Sequence, residues 1–486
     1  MRLTHLFRQL HLSVRQLNLM PRSCRRRDLV ECRAAHTPYR GWGGLISPVV
    51  GARRAFACAR LVDVVRAAVR VAQAERGPDV VLAGSLSRTG QVYVVISVDA
   101  TPLWNVSATR CDVFVDVWGR VEDAGKPRNW STWFIAHGGD DQSALRQLNI
   151  EAKLNTQVAE LVDPANPAQV GLDHIPRCLR TGDGKGMVAA NFLRGKMCWL
   201  GDCNVHTDLY PDDDAISDES ESGAFCGIHI PPLNCPGDYV HGACRCTNML
   251  FKRALSWCGL MNTPQGKQAA ARIKDLLHHI RQEGERVPRM DRVAPRPTKA
   301  HTLDIDGAIL FLRTPELGAR LVKIARDYCP EEKALYRGVW ISAWQVVGVV
   351  VGALCRMMAV WSQRTVVLPA VLGAYKEDAA RMGEGWLALH WKGTLWIHWA
   401  TAHSHQLLKT WGSLYFFSSI PTERRHPSFK MDLKHCFHGW KLSQPRLSVR
   451  GILHALHLDA LDVGLRLNRA RDRAAGRVGA RNRAKR

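Results

Sequence analysis

The hydrophobic period changes twice within the first third of the chain. Over residues 61–75 apolar side chains recur at helical spacing and stop at the breaker pair Gly77-Pro78, which predicts a helix closing there. Three β-branched runs follow: 92–98, which ends in Asp99, then 111–118, then 131–136, with turn residues between them. They predict three sequential strands. Helical spacing returns over 142–161 through Leu145, Leu148, Ala152, Leu154, Val158 and Leu161, behind the cap pair Asp140-Asp141. Residues 197–200 predict a short strand running straight into Gly201-Asp202.

Beyond this point the pattern becomes polar and then helical. The acidic stretch 212–221 predicts an exposed loop, and cysteine and histidine crowd together from there to Cys258. A basic helix is expected over 265–282, a proline- and arginine-containing linker over 286–299, and mainly helices over 315–411. Trp386, Trp391, Trp396 and Trp399 are expected to pack in that helical core. The longest apolar stretch, 339–361, is interrupted by Gln345, Gly348, Gly352 and Arg356. A membrane span needs about 20 consecutive apolar residues, so a buried helix is the expectation and no membrane association. A last helix is expected over 422–437.

Charge adds a second layer. The 486 residues carry 67 Lys plus Arg against 44 Asp plus Glu, a formal charge of +23, while 46% of residues are apolar. That apolar content excludes global disorder and a collagen-like fibre. Much of the excess lies at the ends: Asp28 and Glu31 are the only acids in the first sixty residues, which include Arg25, Arg26 and Arg27. Residues 466–486 hold nine basic side chains, Arg481, Arg483 and Arg486 among them, against Asp472. A polyanion such as DNA is the simplest partner for these ends, and solvated unfolded tails are the alternative. Fifteen cysteines without a regular framework point to a reducing compartment. Residues 1–20 place Arg2, Arg8 and Arg15 among leucines with no acid, the composition of a mitochondrial presequence rather than a secretory signal.

Three carboxylates are candidates for chemistry. Asp99 and Asp202 each close a strand-like segment, where a sheet opens to solvent and a hard divalent cation can bind; turn formation is the alternative role. Glu423 follows the glycine-and-aromatic stretch 411–421, and His426 and Lys430 lie three and four residues further along one helical face, with Lys434 beyond. Around Glu423, His426, Lys430 and Lys434 form a cationic ring suited to phosphate; a capped helix start is the plainer reading.

These segments together resemble a known family, the RNase H-like DDE transposases of eukaryotic DNA elements, of the hAT and Kyakuja–Dileera–Zisupton type. Residues 95–118 with Asp99 resemble the first catalytic strand and its neighbour, and Trp199-Leu200-Gly201-Asp202 resembles the strand of the second carboxylate. Residues 411–434, with Glu423 and His426, resemble the terminal helix. Cys226-Gly227-Ile228-His229 matches the Cys-x-x-His that such enzymes often carry before a helical insertion. The resemblance implies an α/β fold: an RNase H-like mixed sheet with a large helical insertion and a small zinc-binding loop. It also implies cleavage and strand transfer of DNA with Mg²⁺ or Mn²⁺, Asp99 bridging two ions while Asp202 and Glu423 each hold one. Two departures fit a truncated or decayed element: Cys24, Cys32, His36 and Cys58 lack zinc-finger spacing, and the arginine-tryptophan dipeptide of some relatives is absent.

Structural Zn²⁺ held by Cys226 and His229 with Cys235, His241, Cys244 or Cys246 competes with buried free thiols as the reading of the cysteine-rich segment. The resulting division is a basic, unfolded region over 1–60, the first part of the core over 61–202, and a Cys/His-rich insertion over 203–260. A helical insertion over 261–410, a returning catalytic helix over 411–445 and a helix with a basic tail over 446–486 complete it. A DNA transposase acting in the nucleus, as a homo-oligomer, is the leading expectation. A non-catalytic domesticated DNA-binding protein and a nucleic-acid-binding protein of the mitochondrion are the alternatives.

Overall fold

The apolar spacing over residues 61–75 is realised as helix α1, Leu61–Arg76, in the computed structural model, and it ends at Gly77. The structure describes residues 55–77, 82–87, 90–103, 106–117, 130–137, 150–163, 165, 171–182, 237–260, 263–286, 302–423, 425–426 and parts of 470–476. They form a mixed α/β protein in two compact units, one holding the sheet with residues 419–426 and the other spanning 237–418.

In the first unit the three predicted strands are present and longer than the pattern suggested. Strands β2 (Tyr93–Leu103), β3 (Val106–Asp116) and β4 (Trp130–His137) run as an antiparallel meander. Asp99, expected at a strand end, is inside β2, opposite Arg110 in the register. Two strands went unpredicted. Strand β1, Ala55–Cys58, pairs with β4 although it falls at the end of the basic region expected to be unfolded. Strand β5, Arg177–Gly182, lies parallel to β2 as far as the pair Val98↔Gly182. The sheet order is β1-β4-β3-β2-β5. Helix α2, Ile150–Val162, makes the connection between β4 and β5 that a parallel pairing requires.

The apolar face of α1 buries Leu61, Val64, Val65 and Val69, each contributing about 1.5–3 kcal/mol of transfer free energy. One polar side chain ties the layer together: Gln157 Oε1 on α2 accepts from the Leu61 amide at 2.7 Å and from Trp133 Nε1 on β4 at 3.1 Å. At the far end of the chain, Arg473 reaches Glu75 of α1 at 3.3 Å.

The second unit is helical, as its sequence pattern predicted. The Cys/His-rich segment, however, ends in a 22-residue helix rather than a loop: α3, Tyr239–Leu260, buries Val240, Ala243, Cys246, Leu250, Phe251, Ala254 and Cys258 at helical spacing. The cysteines act there as small hydrophobes. Asp238 caps α3 by accepting from the amides of Val240 and His241 and from His241 Nδ1, which places that histidine in a helix cap. Helices α4 (Pro264–Arg286), α5 (Ile305–Arg313) and α6 (Pro315–Tyr328) follow.

A hairpin of β6 (Lys333–Tyr336) and β7 (Val339–Ser342) interrupts the helices. Its two turn residues, Arg337 and Gly338, have φ of 49° and 78°, the left-handed pair that a two-residue hairpin needs. Ser342 and Gln345 then form a capping box that starts α7, Ala343–Trp361. The buried helix expected over 339–361 therefore begins four residues later, and Val339 and Trp340 are exposed on the hairpin. Helix α7 is long and apolar enough to cross a membrane, yet more than half of its apolar window is buried within the protein. Helix α8, Pro369–Ala388, packs closely on it because Gly385 has no Cβ; one would lie 2.8 Å from Val350 Cγ2.

After α9 (Leu395–His398) the chain makes one π-helical turn, Trp399–His403, before α10, Ser404–Trp411. Trp386, Trp391, Trp396 and Trp399 are all buried, as their spacing suggested. The π turn brings His403 Nε2 to 3.0 Å from His398 Nε2 in the core. Burial, with His398 adding to it, pushes the His403 pKa down from 6.5 to about 3.

The unfolded chain takes up a proton on His403 near pH 6.5 and the folded chain only near pH 3, so stability falls as pH drops between them. At pH 5 this amounts to about 2 kcal/mol. Thermal unfolding of the full chain at pH 8 and pH 5 should show a marked loss for wild type and a smaller loss for His403→Gln. Equal losses in both would contradict a buried neutral His403.

Candidate functional site

Alternation along β3 places Arg110 and Asp112 two residues apart, on the same face of the sheet. Both are buried, at 3% and 0% exposure, so their charges need partners inside the protein. Arg110 Nε donates to Asp112 Oδ1 at 2.8 Å, and Thr132 Oγ1, opposite on β4, donates to the same oxygen at 3.1 Å. The register shift between Cys111 and Asp112 occurs at this point of the β3–β4 ladder.

A third participant comes from far along the sequence. Residues 420–423 and 425–426 are helical, and Arg425 Nη2 donates to Thr132 Oγ1 at 3.2 Å while its Nη1 lies 3.9 Å from Asp112 Oδ1. Arg110 Nη1 returns the contact by donating to the Arg425 carbonyl at 3.3 Å. Two guanidinium groups thus converge on one buried carboxylate, and together they fasten the returning helix to the meander. Asp112 Oδ2 and Ser97 Oγ, buried at positions directly opposite in the β2–β3 ladder, are among the buried polar atoms that find no hydrogen-bond partner among the described residues, as is Thr422 Oγ1 on the returning turn. Thr181 of β5 continues this buried polar row beside Ser97.

The sequence candidates fall around this cluster unequally. Asp99 occupies the register position opposite Arg110. Glu423 lies two residues before Arg425, with about a third of its side chain exposed and Oε2 3.3 Å from Nδ1 of the buried His426. Position 99 and the Glu423 turn therefore meet at one residue, Arg110. The parallel neighbour of β2 is β5, whereas Asp202 and the strand expected over 197–200 lie outside the described residues. So do Arg25, Arg26, Arg27, Lys430, Lys434, Arg481, Arg483 and Arg486, and the linker over 286–299 apart from Arg286.

The zinc candidates do not come together where they are described. Cys226, His229 and Cys235 lie outside the described residues. Cys244 donates to the Leu303 carbonyl at 3.8 Å and Cys246 to the Trp396 carbonyl at 3.3 Å, so two thiols that are near neighbours in sequence face different elements. Residues two apart on a helix point about 200° apart, which is the reason. No group of three metal-ligating side chains occurs among the described residues.

Sequence reasoning missed Arg110, Asp112 and Arg425. The signal was present in Thr109-Arg110-Cys111-Asp112-Val113, where charges alternate with apolar residues inside a strand flanked by other strands. No family model matches the sequence, and no curated protein matches it significantly.

Removing one partner of a buried ion pair leaves the other uncompensated and typically costs about 3–5 kcal/mol. Asp112→Ala should therefore destabilise the first unit by that amount in urea unfolding, and hydrogen exchange should rise in both β3 and residues 420–426. Thr132→Val, which removes one hydroxyl donor from the carboxylate and no charge, should cost less, about 1.5–3 kcal/mol. Loss of protection confined to β3 in Asp112→Ala would mean that Arg425 does not dock the helix.

Proposed function

We propose that this chain processes DNA as an RNase H-like, DDE transposase-type protein, with Asp99 and Glu423 in its reaction centre and Asp202 as the third carboxylate. One observation carries the reading: Arg110, opposite position 99 in the ladder, donates to the carbonyl of Arg425 and so brings the late Glu423 turn to the first long strand. The sheet supports it further, since a three-stranded meander followed by a helix and a strand parallel to the first long strand is the arrangement that such a core needs.

The donor chemistry fits a hard divalent cation. Glu423 offers a partly exposed carboxylate, and the unpartnered oxygens of Asp112 and Ser97 mark a polar interior next to position 99. Asp99, Glu423 and Asp202 would hold Mg²⁺ or Mn²⁺, which when bound lowers the pKa of a water or a DNA 3′-hydroxyl and neutralises charge at the phosphorus. Arg110 and Arg425 set the height of the Glu423 turn above the sheet. His426, on the same turn, orients the Glu423 carboxylate through Nδ1.

Asp99→Asn and Glu423→Gln keep shape and remove charge. Each should lower Mg²⁺-dependent nicking or strand transfer by about 100-fold or more, as loss of several kcal/mol of transition-state stabilisation requires. DNA affinity should change far less, because phosphate contacts come from Lys and Arg. Wild-type protein inactive with Mg²⁺ and Mn²⁺ on a range of DNA ends would leave a non-catalytic DNA-binding protein. Undiminished activity in Asp99→Asn would place the reaction centre elsewhere.

A further inference from the structure

The second unit carries a groove that the catalytic reading does not use. Two adjoining depressions of about 510 and 570 Å³ share Val322, Trp344, Gly348, Gly352 and Arg356, and run along the outer face of α7 between α6, the β6–β7 hairpin and α8. Lys323, Arg326, Arg337, Arg356 and Arg381 line them, and no carboxylate does.

The acids that neutralise part of this charge act as tethers outside the lining. Arg356 gives Nε and Nη2 to Asp378, and its Nη1 lies over the groove floor, 3.2 Å from where a Cβ on Gly352 would be. Arg337 is held by Glu384 and Glu377, and Arg381 by Glu377 through Nε. Arg326 pairs with Asp327, whereas Lys323 has no ion-pair partner among the described residues. Fixed guanidinium groups with unused N–H donors recognise phosphate oxygens at little further entropic cost.

The rest of the groove suits the remainder of a nucleotide. Gly348 and Gly352 give a floor without side chains, which lets a sugar-phosphate chain approach the helix. Trp344 and Tyr336 supply aromatic walls, and Trp340 on the adjoining hairpin is 67% exposed. Aromatic surface within a basic groove is the combination that binds unpaired bases, because every base has a face that can stack. In a duplex those faces are covered by neighbouring bases, so concave aromatic walls favour a single strand.

We propose that this groove binds single-stranded nucleic acid, with the phosphates on Lys323, Arg326 and Arg356 and a base against Trp344. It does not depend on the carboxylates of the first unit. The test measures fluorescence anisotropy of a labelled twelve-nucleotide oligothymidine with the full-length chain between 50 and 300 mM salt, without divalent cations. In Lys323→Gln/Arg326→Gln the slope of log affinity against log salt should fall by about 1.4, the loss of two single-strand phosphate contacts.

Gly348→Leu should weaken binding about tenfold with the slope unchanged, as expected for one lost stack. A Cβ at position 348 meets only Val322 at 3.6 Å, and leucine favours a helix more than glycine does, so this variant fills the groove without breaking the fold. Circular dichroism should confirm helix content in both variants. Wild-type affinity and slope in both would overturn the proposal, as would equal competition by a duplex of the same length. Because no catalysis is read, an inactive reaction centre leaves this outcome unaffected.

Discussion

A carboxylate shut away from water must find its counter-charges inside the protein, and in the first unit Asp112 does so with Arg110 beside it and Arg425 from more than three hundred residues later. That requirement does what a hydrophobic contact alone could not. Apolar burial is non-directional and would tolerate a sliding helix, whereas two guanidinium groups and a threonine hydroxyl meeting at Asp112 permit one position of the returning turn. The register of β3 against β4, the height of Glu423 and the relation of that turn to position 99 all follow from it.

The second unit is organised by a different force. Helix α7 buries Val346, Val347, Val350, Leu354, Met357, Met358 and Trp361 on its inner side, and Gly318 of α6 and Gly385 of α8 set how near those helices approach it. Its outer side retains Gln345, Gly348, Gly352 and Arg356, so one helix serves as core on one face and groove floor on the other. The same residues that interrupt its apolar sequence line the basic groove. The hairpin beside it is clamped to α8 by Arg337 through Glu377 and Glu384, which holds the exposed Trp340 on a fixed base.

Both proposals draw on one physical theme, cations held in place by carboxylates. In the first unit the ion pairs on Asp112 are buried and fix geometry. In the second they are largely exposed, contribute little stability, and preset guanidinium groups for an anionic partner. Nucleic acid is a ligand that rewards both uses: a reaction centre must be rigid, while a strand-binding groove needs cations that exchange counterions readily.

Local sequence determined the elements whose hydrophobic period was clean. Helix α1, the meander strands, α4 and the tryptophan-lined helical core follow from spacing, because burial of one face is decided within a few turns of chain. Sequence also singled out Asp99 and Glu423. Where local pattern was mixed, it did not reveal the element: β1 lies in a basic segment, β5 contains two arginines, and the helix α3 was obscured by His241, Cys244 and Cys246 standing close together near its start. A short strand is stabilised by the neighbour that completes its ladder, and nothing in Arg177–Gly182 announces that the neighbour is β2. The meeting of Arg110, Asp112 and Arg425 was likewise settled only by tertiary structure. Arg425 is too far from Arg110 and Asp112 in sequence for any periodicity to relate them, and a charged residue in a strand becomes a buried partner only when the rest of the fold has closed around it.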